Sequence, residues 1–224
     1  MRIRTFTRAR ANFEHSLADV QILLRFHDTE TKKKSGRPDR TLEVLKRASV
    51  ILAVTAWETY VEDSLKSQVQ ERVKAAKTPQ DLQATFNSVA QAWLSSAPKP
   101  PDVAKWTGSG WQEVILERLR VEVDTLNTPN SSNVERLFKR YLGLEITKQW
   151  KWQGTSSKDA RRKLDDLVSL RGQLVHRGKE LSESKASAHR KHVVDAVSLL
   201  ERLVQCTDEA LGVAPEEKEI GESV

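Results

Sequence analysis

The chain has little of several things that small proteins use to hold shape or do chemistry. One cysteine, Cys206, in 224 residues excludes an internal disulfide framework and suits a reducing compartment. The longest nearly apolar run, Ala48 to Trp57, falls far short of the roughly 20 residues that cross a bilayer. The basic start, Met1 to Arg8, is not followed by an apolar stretch of the kind that directs secretion, so the expectation is a soluble, cytoplasmic protein with no membrane partner. Histidine is sparse. His189 and His192 are spaced to share a metal, but no further His or Cys cluster joins them, so no metal site and no cofactor are expected. No stretch alternates apolar and polar residues long enough for a useful strand, and no segment repeats.

What is present is charge and helical spacing. The formal net charge is +6, yet the last twelve residues hold four glutamates against one lysine, which leaves the body more basic still. Such a body is compatible with an anionic partner, although a solvated charged surface is the commoner cause. Phe6, Phe13, Leu17, Val20 and Leu24 mark one face of a long first helix. Thr29 to Arg40, with three lysines and Ser35-Gly36-Arg37-Pro38-Asp39, reads as a polar connector. A second helix runs from near Thr41 to about Lys77. Its middle, Arg47 to Tyr60, is apolar around most of its circumference, which predicts a helix covered by neighbours. Glu58 ends that run and could pair with Arg47, pair with Arg171, or face water.

Thr78-Pro79-Gln80-Asp81 is a helix start, and Leu82, Phe86, Val89 and Trp93 follow at helical spacing. Ala97 to Pro101 breaks that helix, and Trp106 to Trp111 reads as loop. Val114, Ile115, Leu119 and Val123 restore the period, Asn127 to Asn133 is a loop, and Val134 to Leu142 is a short helix stopped by Gly143. Five of the six tryptophans lie between positions 93 and 152. They can stack on unpaired bases, but tryptophans in short helices more often anchor them to a core. A last long helix, roughly Ser182 to Leu211, carries Val193, Val197, Leu200, Val204 and Leu211. Residues from about Val213 onward read as an acidic, unstructured tail.

The stretch with chemistry in it is Leu164 to Gly178. Ala160, Leu164, Leu167, Val168, Leu174 and Val175 recur at three and four, and Arg171 falls on that apolar face. A guanidinium is costly to desolvate unless paired, so Arg171 needs a carboxylate, a phosphate or a partner chain. His176 comes five residues later, about 7.5 Å along the axis. It shares a narrower face with Asp165, Ser169 and Gly172. Gly178 supplies a helix stop, so His176 and Arg177 belong to the last turn, whose orphan carbonyls favour a cationic imidazole. A histidine there exchanges a proton near neutral pH. Beside a fixed cation it makes a kit for cleaving a phosphodiester. The plain alternative is a surface or interface pair with no chemistry. Gly172 leaves a gap where a partner helix or a substrate backbone could come close.

Taken together, these segments resemble the HEPN superfamily, in particular the RiboL-PSP-HEPN branch. The likeness rests on Arg171 and His176 with four residues between them near a helix end. It rests also on Arg47 to Tyr60 ahead of Val61-Glu62-Asp63-Ser64-Leu65, and on Asn130 to Phe138 followed by Leu142-Gly143-Leu144. The resemblance implies an all-α, HEPN-like bundle with long antiparallel helices and an inserted segment of short helices and loops. The expected organisation is one domain over 1–212, with its insert at about 78–156, and an acidic tail at 213–224. It further implies a metal-independent endoribonuclease that acts as a homodimer through its motif helices, in a defence or toxin–antitoxin setting, with an antitoxin or other defence partner.

Carried onto this chain, His176 is the general base on a ribose 2′-hydroxyl or the acid for the leaving 5′-oxygen. Arg171 holds the scissile phosphate, and Glu58, Gly172, Gln173, Arg177 and Lys179 are the RNA-binding or supporting residues. Two positions depart from the family pattern. The residue after the motif Arg is commonly polar in active members, and here it is Gly172. Some HEPN toxins carry a modified Tyr two positions after the His, where this chain has Gly178. The alternative function is a non-catalytic HEPN module that binds RNA or a protein.

Overall fold

The computed structural model describes residues 2–5, 7–33, 40–96, 104–176, 189–213 and 216–219. The fold is all-α. Seven α-helices account for most of the described residues: α1 Arg8–Lys33, α2 Arg40–Ala75, α3 Gln83–Leu94, α4 Gly110–Asp124, α5 Ser131–Leu142, α6 Ser157–His176 and α7 Arg190–Leu211. Contacts group them into two compact units, one of residues 1–60 and 148–224, the other of 61–147, with the chain of α2 passing from the first to the second.

In the first unit, α1 and α2 run antiparallel. The Phe13 and Tyr60 rings meet edge to face at 5.8 Å, and these residues stand at nearly equal chain distances from the connection between the two helices. Phe13, Leu17 and Val20 of α1 and Val50, Ala53, Val54 and Trp57 of α2 are buried. So are Ala160, Leu164, Leu167 and Val168 of α6 and Val193, Leu200, Leu203 and Val204 of α7. Trp57 stacks on Tyr60 and meets the edge of Trp150. Trp150 is itself fully buried and donates its indole N–H to Thr207 Oγ1 at 3.0 Å. This tryptophan is therefore a core anchor rather than a platform for bases.

Two features differ from the sequence expectation. The apolar run on α2 is not covered all round, since Leu52 is 41% exposed, Thr55 and Thr59 continue the open strip, and Val44, just before the run, is 51% exposed. The helices of this unit cover only the side that carries Val50, Val54 and Trp57. In the acidic stretch after Val213, Glu216–Glu219 pairs antiparallel with Arg2–Thr5, with Arg2 opposite Glu219 and Arg4 opposite Glu217.

The second unit packs α3, α4 and α5 with the later turns of α2. Val61, Leu65, Val69 and Val73 share its core with Val89, Trp111, Ile115, Leu119, Val134, Leu137 and Phe138. Gln112 closes the end of α2 by donating to the carbonyls of Val73 and Ala76. Thr78-Pro79 does start a helical segment. Asp81 accepts the N–H groups of Lys77 and Thr78, but the chain first makes a 3-10 turn over Pro79–Leu82 before α3 begins. The Asn130 side chain caps α5 by accepting from the N–H of Asn133. Gly143 ends that helix at φ 70°, a left-handed conformation that glycine adopts without a Cβ penalty.

Candidate active site at the end of the sixth helix

The motif helix is fixed at both ends. Ser156 receives the N–H of Asp159 on its hydroxyl and donates to the Asp159 carboxylate, which satisfies donors of the first turn. Hydrogen bonding from Ser156 and then from Arg162 holds the Asp159 carboxyl below its ordinary range. At the other end Arg47 of α2 donates from Nη2 to the carbonyl of Leu174 at 3.0 Å. The last four carbonyls of a helix lack intrahelical donors, and a cation there meets the negative end of the helix dipole. Arg47 thus ties the second helix to the turn in which His176 sits. The alternative of an Arg47–Glu58 pair is ruled out by spacing, since eleven residues put them about 16 Å apart along α2. Glu58 is half-buried.

Arg171 is half-buried, as its place on the apolar stripe requires, and its Nε is shielded from solvent. Gln173 faces solvent. Val175 is 47% exposed, although Leu174 beside it is buried. Gly172 is not held in a left-handed conformation, and a Cβ built on it meets nothing within 4 Å. Nothing described in the protomer demands a glycine here. His176 is the last residue of α6, and its side chain lies outside the described residues, as do Arg177, Gly178 and Lys179.

The same end of this unit holds a group that the sequence did not flag. Arg190, at the start of α7, grips Asp28 of α1 with two hydrogen bonds of 2.7 Å. The buried His27 ring places Nδ1 3.1 Å from the same carboxylate. Arg190 holds the Asp28 carboxyl down to about 2, so it is charged at any ordinary pH. Counting both ways from the α1–α2 connection puts Asp28 within one turn of the level of Arg47. The first turn of α7, the last turns of α6 and this level of the α1–α2 pair are thereby bound into one frame. An acid next to a histidine before a lysine-rich connector was the available signal, but its partner is 162 positions away. His189 and His192 meet edge to face, and among the described residues no group of three or more His, Cys, Asp or Glu is placed to hold a metal ion.

A groove of about 1170 Å³ runs between α1, α6 and α7, with Phe13, Leu17 and Leu167 below Lys163, Lys191 and Arg202. None of Glu58, Arg171, Gly172 or Gln173 lines it. Arg171, Gly172 and Gln173 lie near the end of α6, beside the exposed Val175. Among the described residues no helix is long and apolar enough to cross a membrane.

Comparison with curated proteins and with solved structures gives no match. The family model described as RiboL-PSP-HEPN matches residues 15–212, a span that takes in all seven helices from the second turn of α1 onward. The chain belongs to the RiboL-PSP-HEPN family.

Proposed function

We propose that this protein is an endoribonuclease that cuts RNA as a homodimer without a metal ion, through Arg171 and His176 of two motif helices. The observation that carries the reading is the end of α6. A half-buried guanidinium lies five residues before a histidine in the last turn, on a helix fixed by Arg47, with open space at Gly172 between them. The exposed Val175, and Val44 one turn before Arg47, give a second copy an apolar surface to cover. A twofold meeting here brings two Arg171 guanidiniums to one anionic ligand, to which each offers a planar fork of donors.

In the reaction one His176 takes the proton of the ribose 2′-hydroxyl as the 2′-oxygen attacks phosphorus. The bond from phosphorus to the 5′-oxygen breaks, and the other His176 protonates that oxygen. The products are a 2′,3′-cyclic phosphate and a 5′-hydroxyl. The paired Arg171 side chains hold the phosphate and offset the charge that develops on it. Glu58, Gln173, Arg177 and Lys179 are supporting residues in this reading, and a defence or toxin–antitoxin role with a cognate inhibitor is its biological setting.

Incubation with RNA in EDTA tests it. Wild type yields cyclic-phosphate ends, while Arg171→Ala and His176→Ala, folded and dimeric, cut at least about 100-fold more slowly. Unchanged cutting by either variant removes the assignment. The second reading, a module that binds RNA without cutting it, is favoured by Gly172 in place of the usual polar residue. It predicts salt-sensitive RNA binding with no new ends.

A further inference from the structure

The second unit holds a cluster with more positive charge than its own contacts use. Glu122 of α4 lies inside it, its side chain 12% exposed, and three arginines surround it: Arg118 one turn back on the same helix, and Arg136 and Arg140 on α5. Arg140 donates from Nη1 to both carboxylate oxygens at 2.6 Å. Arg136 reaches Oε2 at 3.0 Å and the Tyr141 hydroxyl donates to Oε1 at 3.2 Å. A carboxylate has about four acceptor positions, and these four contacts fill them. Burial and the nearby Glu122 charge push the Tyr141 hydroxyl far up, so it stays neutral and adds no negative charge.

Arg118 is the one left over. Its Nε stands 3.6 Å from Glu122 Oε1, beyond hydrogen-bond reach, and is shielded from solvent without an acceptor. The neighbouring acids are engaged elsewhere, Asp124 with Lys66, Glu135 with the N–H of Thr147 and Glu117 with Arg120. Three guanidiniums against one carboxylate leave two positive charges, carried on side chains that are 33% (Arg118) and 47% (Arg136) exposed. A clamp between α4 and α5 needs only the saturated Glu122. The excess on the outside is what a phosphate-binding surface has, because a guanidinium offers a planar fork of donors to an anion.

We infer that Arg118, Arg136 and Arg140 form a binding site for the phosphate backbone of RNA, separate from the Arg171–His176 site. The choice of RNA as ligand rests on the proposed function. The site tracks backbone charge, so it binds RNA without regard to base sequence.

The test measures binding of a 2′-O-methyl RNA 20-mer, which lacks the attacking hydroxyl and is not cut, at several salt concentrations. Each phosphate contact on single-stranded nucleic acid adds about 0.7 to the salt slope, which at 0.15 M salt amounts to about fourfold in affinity. Arg118→Gln is the cleanest variant, since its Nε has no hydrogen bond among the described residues and its one ion pair there is the 3.6 Å contact with Glu122. It is expected to weaken binding about fourfold and flatten the slope by about 0.7, with an unchanged melting temperature. Adding Arg136→Gln doubles the loss in slope, and Glu122→Gln tightens binding.

Unchanged affinity and slope in Arg118→Gln and the double variant overturn the site, as does a wild type that binds the RNA with no salt dependence. Loss of polyglutamate binding in these variants with RNA binding intact makes the patch a protein-docking surface and also overturns it. The nuclease reading fails separately, on cutting that persists in Arg171→Ala or His176→Ala.

Discussion

Gly172→Ala separates what the motif helix needs inside one protomer from what it needs against a second copy. The new methyl meets no described atom within 4 Å, and the backbone is ordinary helix, so the protomer gains the difference in helix propensity. That difference is about 1 kcal/mol in a helix interior and less near an end, so about 0.5–1 kcal/mol is expected in the last two turns of α6. For a chain of this length that raises the melting temperature by roughly 1–4 °C. A partner helix lying over Gly172 would be pushed outward by the same methyl, and a misplacement of about 1 Å at the reacting groups is enough to cost on the order of 100-fold in rate.

Thermal denaturation at a dilution where protomers are separate, sedimentation at higher concentration, and RNA cutting in EDTA read the three effects. The expected pattern is a more stable protomer, a weaker dimer and slower cutting. A variant that is more stable, equally dimeric and equally active refutes the argument for the gap. A less stable protomer refutes the reading of its surroundings.

Arg47→Met removes the donor on the Leu174 carbonyl. It is expected to cost about 1–2 kcal/mol in denaturant unfolding and to speed amide exchange in the last turn of α6, with Arg47→Lys recovering part of both. Tyr60→Phe takes the 2.7 Å hydrogen bond from buried Asp208 and is expected to cost about 1–3 kcal/mol in the same measurement. Burial raises the Asp208 carboxyl, against the pull of Tyr60 and Arg10, so the folded chain holds that proton to higher pH than the unfolded chain does. Its contribution is therefore largest below the ordinary carboxylate range and is lost as pH rises through the raised value. Stability of Asp208→Asn relative to wild type should climb across that window and then level off, and a flat difference contradicts the assignment.

The helices were legible because each signal is local. The stripe of Phe13, Leu17 and Val20, the Thr78-Pro79 start and the Gly143 stop each need only a few neighbouring residues, and each lies in or beside the element expected. That Arg171 and His176 fall on one helix was legible for the same reason. What joins helices was not. Arg47 reads as a misfit in an apolar run until the Leu174 carbonyl, 127 positions on, is found beside it. The Glu122 cluster spans only 22 positions, but its meaning lies in a count of acceptors that spacing does not supply. The open strip on α2 was missed because apolar composition says that a surface prefers cover, not whether the cover comes from the same chain.

The twofold meeting of motif helices is the claim on which the nuclease reading depends, and Ser169→Cys tests it most directly. Ser169 is exposed and lies on the face of α6 that carries Gly172 and His176. The native Cys206 is buried, and burial raises its thiol, so the background reaction with a short bismaleimide is low. The account predicts a crosslinked dimer from Ser169→Cys and none from Ser198→Cys, on the exposed side of α7. Crosslinking through Ser198 with none through Ser169 contradicts it.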